Sequence, residues 1–366
     1  MIRMLALSPL PEEGAGCRFR IAQFIPYLRS AGIDVTLRTL YDAQFFDLVY
    51  RRGQYTKKAL QFAKLSLRHL DTLRHTSSFD AIFIYRELFP IGPAVLEPLL
   101  AKRRAPLILD FDDAVFLPHV SDANRFLGAL KMPHKLSAVI RQSDRVITGN
   151  EYLAAYARQF SNAVSVIPTC VDTSKFVPRE QPVTSHDRVK PVVGWIGSQT
   201  TGHYIRQLSS VFSRVHQEHP FVLRVSGALD AFELPGVGVE EPPWTLDSEV
   251  SLFNTCDVGV YPLPDDEWSK GKCGFKAIAF MACGVPVVAA AVGANREIVQ
   301  DGINGFLAAN EDEWVEKLGR LIADPDLRRQ FAEAGRRTVE EHYSLAVHAP
   351  SMEALIREAV EHSHSD

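Results

Sequence analysis

Three lysines, Lys270, Lys272 and Lys276, stand close together among Gly271, Gly274 and Phe275. The pattern places them on a loop that enters a helix beginning near Gly274. Cations are disfavoured at a helix N-terminus, where the aligned peptide dipoles already put positive charge. The arrangement makes sense if an anion lies between the ammoniums and the helix end; a solvated basic loop fits the same residues. A second stretch, Pro191 to Leu208, reads as a buried strand ending at Gly197, a turn with Ser198, Thr200 and Thr201, and a helix. Glycine lets another group approach the backbone, Ser and Thr cap helices, and free amides at a helix start attract phosphate. An ordinary capped turn has the same composition.

A third group is acidic. Asp110, Asp112 and Asp113 close a buried strand at its C-terminal end, where open α/β sheets place their sites. A carboxylate there can hydrogen-bond a substrate hydroxyl or orient it, or it can cap the next helix. Arg86 and Glu87 follow the strand Ala81–Tyr85 and either border the same region or form a surface ion pair. Gly14, Gly16 and Arg18 follow the first strand. That loop, G-A-G-C-R-F, lacks the third glycine of a dinucleotide fingerprint, which argues against a nicotinamide cofactor.

The elements that must carry these groups are short apolar runs alternating with helices. In the first half they are Ile2–Ser8, Asp34–Leu37, Ala81–Tyr85, Leu107–Asp110, Arg145–Thr148 and Val164–Ile167. In the second they are Val192–Gly197, Val222–Ser226, Val258–Tyr261 and Val285–Ala291. Continuous apolar strands separated by helices imply parallel sheets covered on both faces, a doubly wound α/β pattern made twice. Residues 1–178 are expected to form the first domain and 191–344 the second. Between them lies a polar, proline-containing linker at 179–190. The tail 345–366 reads as a helix able to pack back on the first domain.

The chain has 366 residues and 46% hydrophobic content, enough for two cores. Its 40 Lys plus Arg against 44 Asp plus Glu leave a net charge of −4, which argues against general nucleic-acid binding. The five cysteines form no Cys-x-x-Cys pair, so a zinc site or disulfide framework is not expected and a reducing, cytoplasmic setting is. Ala277–Ala294 has no charge, but Gly284 and Pro286 interrupt it, so it reads as a buried helix, a turn and a buried strand. Arg51–His75 is basic and partly amphipathic, which suits either peripheral contact with an anionic membrane or a solvated helix face.

MACGVPVVA, followed by VGANREIV and DGINGFL, resembles the C-terminal donor domain of group 1 glycosyltransferases, family GT4. IPTCVDTSKF, Ile167 to Phe176, is similar to that family's segment before the interdomain linker. GAGCRFRIAQFIPYLRSAGIDVTL resembles its N-terminal glycine loop and first helix. The resemblance implies a GT-B fold, two Rossmann-like domains facing a central cleft, with acceptor held by the first and nucleotide-sugar donor by the second. It also implies retention of anomeric configuration, no cofactor and no metal. The acceptor would be a glycan or a lipid-linked molecule, in cell-surface polysaccharide or glycolipid synthesis at the inner face of a membrane.

The chain departs from the family's common pattern. The two glutamates of the Glu-x7-Glu motif fall at Gly271 and Ala279. No lysine follows Gly197, and Arg206 is the nearby basic residue. Lys272 and Lys276 are therefore expected to carry the diphosphate charge, with Gly197, Ser198, Thr200, Thr201, Gly271 and Phe275 around it. Asp112 takes the place of a family histidine and is expected, with Lys272, to act in catalysis. Gly14, Gly16, Arg18, Arg86 and Asp110 are expected on the acceptor side. An epimerase or phosphorylase on a similar scaffold, or a binding protein that has lost activity with the glutamates, fits the same residues.

Overall fold

Strands form where the apolar runs stand. In the computed structural model, β1 (Ile2–Ser8), β2 (Ile33–Thr39), β3 (Ala81–Tyr85), β4 (Leu107–Phe111), β5 (Arg145–Thr148) and β6 (Val164–Val166) build one parallel sheet. Its order is β2-β1-β3-β4-β5-β6. A second parallel sheet holds β7 (Val192–Ile196), β8 (Val222–Ser226), β9 (Gly238–Glu240), β10 (Val258–Tyr261), β11 (Val287–Ala290) and β12 (Phe306–Ala308). Its order is β12-β11-β10-β7-β8-β9, the nucleotide-binding Rossmann order. The structure describes all residues except 52, 93–96, 98–99, 101–104, 119–131, 133, 180–189, 229–230 and 364–366.

Every residue of β3, β4, β7, β10 and β11 is buried, as both faces of a parallel sheet are covered by helices. The uncharged stretch from Ala277 divides as expected into the helix Phe275–Ala282, a turn at Gly284 and strand β11. Gly284 has φ +65, which only glycine adopts without strain. β9 and β12 were not anticipated. Both are three-residue edge strands, too short for a periodicity to show. Among the described residues no helix is long and apolar enough to cross a membrane.

The chain divides into two compact units. One is Met1–Thr169 with the segment from His348 onward; the other is Cys170–Val347. The boundary lies inside IPTCVDTSKF. In the last helix, Leu345–Ser363, Met352 and Ile356 line a small cavity with Met4, Phe24 and Phe83, and Tyr27 Oη donates to Glu353 at 3.1 Å. Residues 180–189 of the expected linker lie outside the described residues.

Candidate functional site

Each sheet has one place where the chain leaves a strand in one direction and later returns beside it in the other. Crevices form at the carboxyl ends of such strand pairs. In the second unit the place is between β7 and β10. In the first it is between β1 and β3. The candidate residues gather at both.

In the second unit β7 is a run of buried residues, and its Trp195 is 0% exposed. Gly197 follows because no side chain fits there: a Cβ would lie 2.2 Å from the Trp195 ring. Gly227 closes the same corner from β8 with φ +85, and its added Cβ would stand 2.2 Å from the Gly197 carbonyl oxygen. The turn after β7 is held by its own side chains. Ser198 N donates to Thr201 Oγ1 at 3.0 Å, and Ser198 Oγ lies 3.0 Å from Thr200 Oγ1 and 3.2 Å from Thr201 Oγ1. The Ser198 amide is thus engaged within the turn.

Of the three lysines, Lys276 meets this turn. Its Nζ lies 3.4 Å from Thr201 Oγ1 and 5.2 Å from the ring centroids of both Trp195 and Tyr261. Lys276 sits in the first turn of the helix Phe275–Ala282, whose N-cap, Gly274, is left-handed with φ +68. Lys272 lies over the Trp268 ring, 5.4 Å from its centroid. Lys270 ends the short helix Glu267–Lys270 and pairs with Glu267 at 2.7 Å. Gly271 is buried at that helix's C-cap, and Phe275 is half-buried at the start of the next helix. Ala279 is fully buried within the latter. Trp195 and Tyr261 were passed over in the sequence as ordinary strand residues. Their places as the last aromatic side chains of two apolar strands were the signal.

In the first unit Gly16 makes room for a phenol: a Cβ there would lie 1.8 Å from Tyr85 Oη. That hydroxyl donates to Asp112 Oδ1 at 2.6 Å, and burial pushes the phenol well above its ordinary pKa, so it stays a donor. Arg86 adds Nε at 2.9 Å and Nη2 at 2.6 Å to the same oxygen, and Nη2 also bonds Asp113. Arg86 is a non-glycine residue in the left-handed region, φ 60, and such a conformation persists where surroundings enforce it. Its amide is held by the Asp110 carbonyl at 2.6 Å. Burial pushes the Asp112 carboxyl up, but Arg86 and then Arg20 outweigh it, and the net direction is downward. Asp112 is therefore ionised at neutral pH.

Two expected acceptor-side residues are engaged elsewhere. Asp110 is 0% exposed, and Arg20 donates to both its oxygens, at 2.9 and 2.6 Å. Arg20 also reaches the Ile167 carbonyl at 2.7 Å, so this pair ties β4 to the end of β6 inside the core. A group so enclosed offers no face to a substrate, and the expectation for Asp110 is corrected accordingly. The partner could not be seen in the sequence, since it lies 90 positions away. Arg18 turns back on its own loop, Nη1 donating to the Glu12 and Glu13 carbonyls at 2.6 and 3.3 Å. Gly14 is the N-cap of the helix Ala15–Arg20.

Residues 190–324 match the family model "Glycosyl transferases group 1". A D-inositol 3-phosphate glycosyltransferase of Salinispora arenicola is 36% identical over 98 residues, 26% of this chain and 21% of that protein. The same-named protein of Stackebrandtia nassauensis is 26% identical over 259 residues, 59% of this chain and 57% of its own. The matches therefore span about a fifth to just over half of these relatives' lengths. Among solved structures, sucrose-phosphate synthase from Thermosynechococcus elongatus superposes with TM-score 0.71 at 17% identity, covering 97% of this chain and 98% of its own. Anabaena HepE, in complex with UDP and glucose, superposes with TM-score 0.67 at 15% identity, covering 98% of this chain and 100% of its own. The architecture is that of the GT-B fold.

Proposed function

We propose that the whole chain is a glycosyltransferase, a reading supported by the match of residues 190–324 to the group 1 glycosyl transferases. It moves a sugar from a nucleoside diphosphate to an acceptor hydroxyl, with retention of configuration and without metal or cofactor. The carrying observation is Lys276, fixed at the β7/β10 switch point beside the Thr201 hydroxyl. As the glycosidic bond breaks, charge develops on the leaving diphosphate. A pre-positioned ammonium stabilises that charge without reorganising. Gly197, Ser198, Thr200 and Thr201 border the same corner, and Gly271, Lys272 and Phe275 supply the adjoining loop. Asp112, ionised and aimed by Tyr85 and Arg86, accepts a hydrogen bond from a sugar or acceptor hydroxyl. The departing phosphate takes the acceptor proton.

The helix Tyr55–Arg74 extends the proposal to the acceptor. It buries Leu65, His69 and Leu73 and turns Leu60 and Leu67 outward, 75% and 69% exposed. Exposed Lys57, Lys64 and Arg68 flank those leucines. Such a face suits an anionic lipid surface and a lipid-linked acceptor at the cytoplasmic side of a membrane.

The test is release of free nucleotide from UDP-glucose and GDP-mannose, with and without acceptors, D-inositol 3-phosphate among them. Acceptor-dependent release with a retained anomer supports the proposal. Conversion of donor without acceptor marks an epimerase. Binding without turnover marks a binding protein, the outcome that the missing carboxylates at Gly271 and Ala279 would explain.

A further inference from the structure

Lys276 is a four-carbon side chain, and a free lysine samples many rotamers. Here it lies against two aromatic rings from two different strands. β7 and β10 pair in register at Val193 with Val258 and Gly194 with Gly259, so Trp195, one residue before the end of β7, and Tyr261, at the end of β10, lie near the C-terminal ends of neighbouring strands. The helix Phe275–Ala282 crosses these strands with Phe280 packed into space that only glycine leaves. A Cβ at Gly259 would lie 2.5 Å from the Phe280 ring. Lys276 is one turn earlier on the same helix face. The packing of Phe280 therefore delivers the Lys276 side chain to the strand ends, where its Nζ is 5.2 Å from each ring centroid.

We propose that Trp195 and Tyr261 form a cation–π seat that positions the Lys276 ammonium, and that Gly197 is glycine to admit the Trp195 indole. Both distances fall within the roughly 6 Å over which a ring face attracts a cation. The seat fixes the ammonium by attraction to ring quadrupoles, which hold a cation without neutralising its charge. The indole is held in turn: it is wholly buried, and the glycine after it is the residue whose side chain would strike it. This inference rests on Lys276 as the ligand of the donor diphosphate, and it makes Tyr261 a positioning residue for that group.

A double-mutant cycle tests it, with UDP as the probe and calorimetry as the readout; where UDP does not bind the unaltered protein, ADP and GDP replace it. Tyr261→Leu should weaken UDP by about tenfold, the range of a desolvated cation–π contact. Tyr261→Phe, which keeps the ring, should restore the affinity. In a Lys276→Met background Tyr261→Leu should cost nothing further. An equal loss from Tyr261→Leu with and without Lys276, or no loss in either, overturns the seat. Tyr261→Met, closer in volume, takes the place of Tyr261→Leu should that variant unfold. If Lys276→Met alone binds UDP as the unaltered protein does, the assignment of Lys276 to the diphosphate fails instead. The two failures are told apart by that single variant.

Discussion

At the scale of single residues, the two candidate clusters do different work. Asp112 belongs to the first unit and Lys276 to the second. Asp112→Asn removes the carboxylate charge while leaving an acceptor oxygen for Tyr85 and Arg86. Turnover is expected to fall by about a hundredfold or more, the usual contribution of a positioned carboxylate in acid–base or hydroxyl-orienting work. Nucleotide affinity, measured by calorimetry, should stay as it is. A parallel loss of both would place Asp112 in donor binding. Asp112 was legible in the sequence because it follows directly on an apolar strand. That Asp110 instead pairs with Arg20 was not, since a bidentate contact across 90 positions leaves no local pattern. Choosing Lys276 over Lys272 depends equally on packing, because both have the same local surroundings in the chain.

At the scale of elements, the fully buried strands β3, β4, β7, β10 and β11 were legible as apolar runs; of the three-residue edge strands, β6 was anticipated and β9 and β12 were not. β9, Gly238–Glu240, has exposed ends and carries no more hydrophobic signal than a loop. The helix Tyr55–Arg74 was legible as amphipathic, and its outward leucines give a direct prediction. The protein should co-sediment with vesicles of anionic lipid and not with zwitterionic ones. Leu60→Ser with Leu67→Ser should abolish that, whereas binding that persists in the double variant would rule this face out. The same helix buries His69 at 3% exposure, edge-on to Phe89, with Nε2 lacking a hydrogen-bond partner among the described residues. Burial lowers its pKa from 6.5 to about 4. Between those values the unfolded chain binds a proton that the folded chain does not. Stability is thus full above pH 6.5 and falls as pH drops toward 4, by up to about 3 kcal/mol. Urea unfolding of His69→Phe across that window should show the slope reduced by this one proton; an unchanged slope would assign it to other groups.

At the scale of the whole molecule, the net charge of −4 gives no hint of an anion site, and the resemblance to group 1 glycosyltransferases came from motif order instead. Two parallel sheets were legible in outline, because alternation of apolar strands and helices leaves few topologies, although two strands of the second sheet were not anticipated. Strand order within each sheet was not, and that order makes the β7/β10 ends a switch point. The central claim is that this switch point binds a nucleoside diphosphate through Lys276. Calorimetric titration of UDP, ADP and GDP into the unaltered protein and into Lys276→Met tests it most directly. The account predicts that the nucleotide bound best binds the variant more weakly by about tenfold to a thousandfold, as loss of one charge-stabilising group would give. Equal affinity in the two proteins would contradict it.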